Sequence, residues 1–387
     1  MRVLHLSADY PDPIAPQKTH AIRNLLAMAS GIEHRVYSLN RVTWPLGIAA
    51  TSFDDACGGA HRAIVYGAPP KGLLMANFLD RLADWVLDDV GRGGFAPDIV
   101  HAHKLSVEGL IGERLVGRLG AALALSSQGD SDTRIVSAKR DLRPRYARIW
   151  KGAAVAFPFA PWTRWRLNAL LGERLETTLP MPCPAGDDDS PIRPRLVEPV
   201  VRSAFHLASW RRKNADGLIE AIGRVARMAP ETRLEILGGG DPKAFAALAR
   251  HADRVAPGAV TLRGAVDLRS VRRLFNESCA VALPSRRETF GMALSEALLA
   301  GAPCLVPRGW AIDGYLADGD GVVYVDPADG DAIVDGLRRL TVEQEHYKRR
   351  LGHLQEQGCL DIFRRAQILN TYRTGLRIAL EAPRAFC

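Results

Sequence analysis

"SRRETFGMALSEALLAGAPC" (residues 285–304) decides how this chain is built. The apolar run "CAVALPS" (279–285) leads into it, and a Gly-x-Pro break closes it. This spacing predicts a strand ending at Pro284-Ser285 and a helix opening near Gly291. Ala293, Leu294, Ala297 and Leu298 fall on one helical face, the side that packs on a core. Gly301 suits a left-handed cap, and Pro303 forbids continuation. Glu288, Phe290-Gly291 and Glu296 are left over. Gly291 lets a ligand approach the backbone, and the free N–H groups of a helix start favour a phosphate. A carboxylate does not bind phosphate but accepts hydrogen bonds from hydroxyls. Carboxylates on both sides of the helix start therefore suit a nucleotide sugar, whose hydroxyls flank a pyrophosphate. The alternative is a pair of solvated glutamates that serve solubility.

Working outward, short apolar runs alternate with helical patterns along the chain. Strands are expected at 3–7, 34–39, 63–67, 98–103, 121–127 and 153–159, with helices at 18–29, 74–90 and 105–118. Prolines at 180, 182, 184, 191, 194 and 199 then mark an interdomain connection. The alternation restarts with strands at 204–209, 233–239, 259–264, 279–284, 304–307 and 322–325. A helix is expected from about Asn214 and another at Asp241-Pro242, a cap residue followed by proline. Near-continuous apolar strands separated by helices mean parallel sheets covered on both faces. The expected organisation is α/β: a first domain over 1–180, a linker over 181–200, a second domain over 201–360, and a last helical segment over 361–387 that can fold back across the domains. Ligands of two such sheets would lie in a cleft beyond the strands' carboxyl ends.

Composition narrows the function classes. The 387 residues are 47% hydrophobic and 24% charged, as in ordinary globular proteins, and the length suits two domains. No apolar run reaches the length of about 18 residues that a membrane-spanning helix needs. The N-terminus lacks a signal-peptide pattern. A cytoplasmic location is expected. The six cysteines are scattered without a C-x-x-C pair, so no zinc site or disulfide framework is expected. The net charge of +8 fits an anionic partner. Nucleic acid is not expected, because no aromatic-basic motif accompanies the charge.

The stretch "PSRRETFGMALSEALLAGAPCLV", with E-x7-E from Glu288 to Glu296, resembles the signature of the retaining GT-B glycosyltransferases of family four, or glycosyltransferase group one. The similarity extends through 309–333, covers "KNADGLIEAI" (213–222) and "LEILGGGD" (234–241), and touches "PDIVHAH" (97–103) more weakly. It implies the GT-B fold: two Rossmann-like domains with parallel sheets facing across a cleft. It implies transfer of a hexosyl unit from a nucleotide diphosphate sugar to a carbohydrate or lipid-linked acceptor, with retention, in bacterial-type polysaccharide or glycolipid synthesis. Neither cofactor nor metal is implied. On that likeness Glu288 contacts the donor sugar and is the catalytic candidate, Glu296 binds the ribose, and the amides around Phe290, Gly291 and Met292 face sugar and diphosphate. Lys213 would neutralise the diphosphate. The family's arginine five residues earlier is Ala208 here, so Arg211 or Arg212 would supply that charge or stand solvated. Gly238 and Gly239 would let the nucleotide approach, or form a turn without ligand contact. Arg263 would touch the base.

The first domain departs from the family pattern. Ala15-Pro16 stand where glycines are usual, with Lys18 at the following helix start as a possible substitute; Gln128-Gly129 replace His-Gly. His101 and His103 point to one side of their strand. His103 is an acceptor-side candidate and His101 a packed core residue, with no further ligands nearby in sequence to make a metal site. Asp130 and the "DDD" at 187–189 resemble metal-binding aspartates of another glycosyltransferase fold, although two sheets argue against that fold. The basic run 139–151, with Trp150 and the aromatic stretch 157–167, would lie on an anionic membrane at the inner cell face, or form a solvated helix face. The rival from another class is a catalytically silent scaffold that binds a partner, motivated by the altered glycines, Gln128 and Ala208.

Overall fold

A computed structural model describes residues 1–184 and 189–386. The chain forms two compact units, both discontinuous in sequence. Unit 1 comprises Met1–Phe159, Thr163–Pro184 and Ala366–Cys387, and unit 2 comprises Ala160–Trp162 and Ala185–Arg365.

Unit 1 holds strands β1 (Arg2–Ser7), β2 (Glu33–Val42), β3 (Ile48–Asp55), β4 (Gly58–Gly67), β5 (Ile99–Ala102), β6 (Ala122–Ser127) and β7 (Val155–Pro158). They form one sheet in the order β3-β4-β2-β1-β5-β6-β7. All pairings are parallel except β3 with β4. β5, β6 and β7 are buried along their whole length, which is why they read as unbroken apolar runs. β3 was not expected from sequence. It is an exposed edge strand paired on one side only, so its residues need no apolar pattern. The helix Arg365–Glu381 closes this unit: Tyr372 stacks on His101, and Gly375 lies so close to Phe157 that an added Cβ would sit 2.3 Å from the ring.

Unit 2 holds β8 (Val200–Ala204), β9 (Arg233–Leu237), β10 (Val260–Gly264), β11 (Ala280–Ala282), β12 (Cys304–Pro307) and β13 (Val322–Val325). Every pairing is parallel, in the order β10-β9-β8-β11-β12-β13. β8 lies earlier than the expected 204–209, and residues 207–209 turn as a short 3-10 helix instead. Of this strand only Val200 falls in the expected linker over 181–200. The stretch from 190 to 198 follows unit 2: Ile192 N–H donates to Leu299 O at 2.8 Å, and Val197 exchanges two bonds with Gln344. Asp187 and Asp188 lie outside the described residues.

In both units the chain starts mid-sheet, builds outward to one side, then crosses over. Strand order therefore reverses between β1 and β5 in unit 1 and between β8 and β11 in unit 2. Loops leaving such a reversal diverge above and below the sheet and open a crevice at the strands' carboxyl ends.

Candidate functional site

The loops after β8 and β11 bring Lys213 and Glu288 together at the reversal point of unit 2. Asn214 adopts a left-handed conformation (φ 59°), tolerable for asparagine, and its amide bonds Pro327 O at 2.9 Å. Arg286 locks the two loops: its backbone N–H donates to Arg212 O at 2.9 Å and its guanidinium to Arg211 O at 2.8 Å. The Lys213 ammonium then donates to the Glu288 carboxylate in a close ion pair. Ser285 Oγ donates to the same carboxylate oxygen at 3.1 Å, and the Thr289 N–H to the other at 3.2 Å. Both side chains of the pair are mostly buried. Such a lysine, held by one partner at a crevice, can exchange that partner for a phosphate.

Gly291 caps the helix Met292–Leu299 in a left-handed conformation (φ 75°). A Cβ there would press on Leu294, Ala311 and Glu288 at 3.1–3.3 Å. Phe290 is buried beneath the turn. Glu296 sits half-buried in the second turn of this helix, and Met292 begins it. Ala311 donates its N–H to Glu288 O and accepts from Trp162 Nε1 at 3.1 Å, with Trp162 packed edge-on against Trp310. Thus Trp162, which sequence reading gave to a membrane segment, is 1% exposed and braces this site.

The other residues expected around a donor are spread about the same sheet edge. Arg211 is exposed and stacks over Trp210 at 4.5 Å. Arg212 reaches Ser209 at 3.5 Å. Arg263 is exposed, 3.8 Å from Glu235. Gly238 and Gly239 have a packing reason of their own: a Cβ on Gly238 would lie 1.8 Å from Phe205 O, and one on Gly239 2.9 Å from Ala265. They let three strand-end loops meet closely.

At the reversal point of unit 1 the polar groups come from different strands. Lys104 after β5 pairs with Asp9 after β1 at 2.5 Å. Glu108 is fully buried, and one oxygen accepts the Ala8 N–H at 2.8 Å while the other has no partner among the described residues. Burial pushes its carboxyl up to about 7, against the pull of Lys104 and the Ala8 amide. Ser127 Oγ and the buried amide nitrogen of Gln128 also lack partners among the described residues. Buried polar atoms without partners are rare and costly, so this edge is prepared for a polar ligand. Sequence reading found Gln128 but missed Asp9, Lys104 and Glu108.

Two acceptor-side expectations need correction. His103 is 1% exposed and its Nε2 lies 3.1 Å from His5 Nδ1, in a chain that continues to His34 Nδ1 at 2.9 Å. It belongs to the core rather than the open edge. Lys18 donates to Asp12, Ser38 Oγ and Leu39 O within 3.3 Å, so its ammonium ties down its own loop. His101 is packed as expected, bonded to Ser126 Oγ at 2.8 Å. The third histidine comes from β1, where His5 stands opposite His101, and no sequence proximity announces it. His5, His101 and His103 are the one group of three possible metal ligands among the described residues. Asp130 lies 3.7 Å from Arg134, and Asp189 accepts the Arg365 N–H.

Two of the six cations in the basic run 139–151 are spent on internal ion pairs. Arg145 pairs with Asp80 at 2.8 Å and with Glu113 at 2.5 Å, Arg148 pairs with Glu113 at 2.7 Å, and Trp150 is buried against Asn168. Arg145 and Trp150 are therefore turned to the protein's own interior contacts rather than outward. No helix among the described residues is long and apolar enough to cross a membrane.

Comparison with known proteins adds three findings. The family described as Glycosyl transferases group 1 matches residues 201–342, nearly all of unit 2 beyond the linker. A curated relative, the N-acetyl-alpha-D-glucosaminyl L-malate synthase of Bacillus anthracis, is 25% identical over 172 residues, which is 44% of each chain. The match thus spans under half the length of that relative. Among solved structures, sucrose-phosphate synthase from Thermosynechococcus elongatus superposes with a TM-score of 0.70 over 97% of this chain and 98% of that one, at 18% identity. Anabaena HepE in complex with UDP gives 0.68 over 97% and 100%, at 13% identity. The E. coli trehalose-6-phosphate structure bound with UDP-2-fluoro glucose gives 0.70 over 99% and 100%, at 12% identity. The fold is GT-B, α/β with two sheets whose strands are parallel except for the edge strand β3.

Proposed function

We propose, from the premise that residues 201–342 belong to the glycosyl transferases group 1 family, that this chain is a glycosyltransferase. It moves a hexosyl unit from a nucleotide diphosphate sugar to a hydroxyl of a carbohydrate or lipid-linked acceptor, with retention, in polysaccharide or glycolipid synthesis. The observation that carries this is the Lys213–Glu288 pair beside the helix start at Gly291, all at the strand-order reversal of unit 2. UDP and a UDP sugar bound to two proteins of the same fold support a nucleotide-sugar ligand.

In this reading the donor diphosphate takes the N–H groups of the Gly291-Met292 turn and draws the Lys213 ammonium to itself. Released from Lys213, Glu288 accepts hydrogen bonds from the sugar hydroxyls, kept in place by Ser285 and the Thr289 amide. Glu296, one turn further on, accepts from the ribose. The bond from the anomeric carbon to the diphosphate oxygen breaks while that carbon bonds to the acceptor oxygen, and the acceptor proton leaves with the diphosphate. Lys213 and the helix start stabilise the charge that builds on the leaving group, where fixed positive groups act most strongly. No metal ion is needed for that charge.

The test is a thermal-shift screen of nucleotide sugars followed by a transfer assay with EDTA. A cognate donor at 100 times its Kd raises stability by about 2.7 kcal/mol. Stabilisation by one nucleotide family, and turnover that survives EDTA, are the expected results. No stabilisation by any nucleotide sugar would overturn the reading in favour of a silent scaffold. Loss of turnover with EDTA, restored by manganese, would overturn its metal-free form.

A further inference from the structure

Large apolar side chains stand in solvent at one end of unit 1. Trp44 is 77% exposed, Leu73 64%, Leu74 60% and Leu46 41%. They occupy two loops that leave the carboxyl ends of the neighbouring parallel strands β2 and β4, where Val42 stands opposite Gly67. The loops are fastened together. The Gly67 N–H donates to Gly47 O at 2.8 Å and the Ala68 N–H to Val42 O at 2.9 Å. Arg41 donates to Ala68 O at 3.2 Å and to Pro69 O. A side chain on Gly67 would lie 2.1 Å from Pro45 O, so only glycine permits this contact.

The backbone of the second loop is held in an unfavourable form. Lys71 and Leu74 both have left-handed conformations, at φ 55° and 52°. For a side chain as large as leucine this is a true outlier, and such strain persists only where the surroundings impose it. Its effect is to end the loop in two adjacent leucines facing water.

The surroundings are cationic. Lys139 donates to Gly72 O at 2.7 Å, which brings residues 139–143 beside the loop. Arg41, Lys71, Lys139, Arg140 and Arg143 make no ion pair with a carboxylate among the described residues; Asp141 is the one acid in the 139–143 segment. The nearby Asp80 is already held by Arg145. An apolar tip of tryptophan and leucine ringed by unpaired cations matches the boundary layer of an anionic bilayer. There indole and leucine side chains enter the acyl region, and lysine and arginine meet headgroup phosphates.

We propose that the two loops 43–47 and 68–74 dock unit 1 on anionic lipid, with Trp44, Leu73 and Leu74 inserted and Arg41, Lys71 and Arg140 at the headgroups. This goes beyond the transfer reading, because a bilayer contact needs neither donor nor turnover. It also replaces the 139–151 helix as the lipid-facing element: only the start of that run takes part. All parallel strands of unit 1 end on this side, so docking here sets the edge bearing Glu108 and Gln128 towards the membrane surface.

The experiment is co-sedimentation of the full chain with vesicles of phosphatidylcholine and phosphatidylglycerol in equal parts, without nucleotide. Binding is expected at low salt and weakened at high salt, because headgroup attraction falls off within a Debye length. Leu73→Ser with Leu74→Asn, the asparagine chosen to tolerate the left-handed backbone, should weaken partitioning about tenfold at unchanged melting temperature, as loss of inserted apolar area predicts. Trp44→Ser should act in the same direction, and Trp165→Ser, at an exposed tryptophan elsewhere in unit 1, should have no effect. A wild type that stays in the supernatant at low salt overturns the proposal. So does a double variant that sediments like the wild type, or a wild-type dimer that this variant dissociates without lipid, which would make the tip a protein interface.

Discussion

Each unit carries a lysine–carboxylate pair where its strand order reverses, and the two pairs are built differently. In unit 2, Lys213 and Glu288 are 13% and 8% exposed at their side chains, stand beside a helix start, and have no third acid attached among the described residues. In unit 1, Lys104 and Asp9 are 13% and 33% exposed and are backed by Glu108, a buried carboxyl poised near neutrality. The first arrangement suits a doubly charged ligand, because the lysine can turn from its carboxylate to a phosphate. The second keeps its lysine satisfied by acids and presents neutral, unpartnered polar atoms, which suits hydroxyl groups. One fold element, repeated, has been given two electrostatic characters.

The largest effect expected from this contrast is on turnover. Glu288→Ala should lower the transfer rate by about 10²–10³-fold, the scale of losing one positioned hydrogen-bonding group. Affinity for the free nucleotide should change little, since Glu296 and Lys213 remain. Calorimetry with nucleotide alone, beside a transfer assay, separates the two. Equal loss of nucleotide affinity would remove Glu288 from the sugar.

Stability should distinguish the pairs next. Lys213→Met strands a largely buried carboxylate, which keeps Ser285 and the Thr289 amide, and should cost roughly 1–3 kcal/mol. Adding Glu288→Gln should recover part of it, so that the double variant melts above the sum of the singles. Asp9→Asn, at the more exposed pair, should cost under about 1 kcal/mol. Similar costs at both sites, or strict additivity in unit 2, would erase the distinction.

The smallest effect separates the units by pH. Burial lowers His34 to about 4 and His101 to about 3, from an ordinary 6.5, and holds His5 and His103 well down too. Their neutral forms belong to the fold, so this stability is full above 6.5 and is lost as pH falls from there towards 4. Glu108 runs the other way: raised from 4.5 to about 7, its contribution is present below 4.5 and is lost as pH rises through 7. Four histidines outweigh one acid, and at pH 5 a single such histidine already costs about 2 kcal/mol. Hydrogen exchange should show unit 1 losing protection first as the solution is acidified, with His34→Asn flattening that response. Equal loss in both units would refute it.

What could be read in the sequence follows the same division. In unit 2 the strand end, the turn and the helix start lie in one stretch of twenty residues, so local spacing reveals the turn at Gly291. Ser285, the residue that orients Glu288, was in plain view there but unremarkable as a serine. In unit 1 the contacts join residues about a hundred positions apart, such as Ala8 with Glu108 and His5 with His103. Only the pairing of β1 with β5 brings them together, and periodicity does not reveal which strands are neighbours. Lys18 and Arg145 misled for a related reason. A charge at a helix start looks the same in sequence whether it waits for a ligand or is already neutralised by an acid from another element.

The return of the helix Arg365–Glu381 to unit 1 has a consequence for how the protein comes into being. On a ribosome the chain emerges from its first residue, so everything unit 2 requires has appeared before Tyr372 has. Unit 1, begun first, has to wait with the ring of His101 and the side of Phe157 uncovered while the whole of its neighbour is translated. The order of completion is thus the reverse of the order of starting. A nascent chain stalled after residue 365 should present a finished unit 2 and an unfinished unit 1, a vulnerable interval in which a chaperone or a protease would meet the histidine-lined core before its own last helix does.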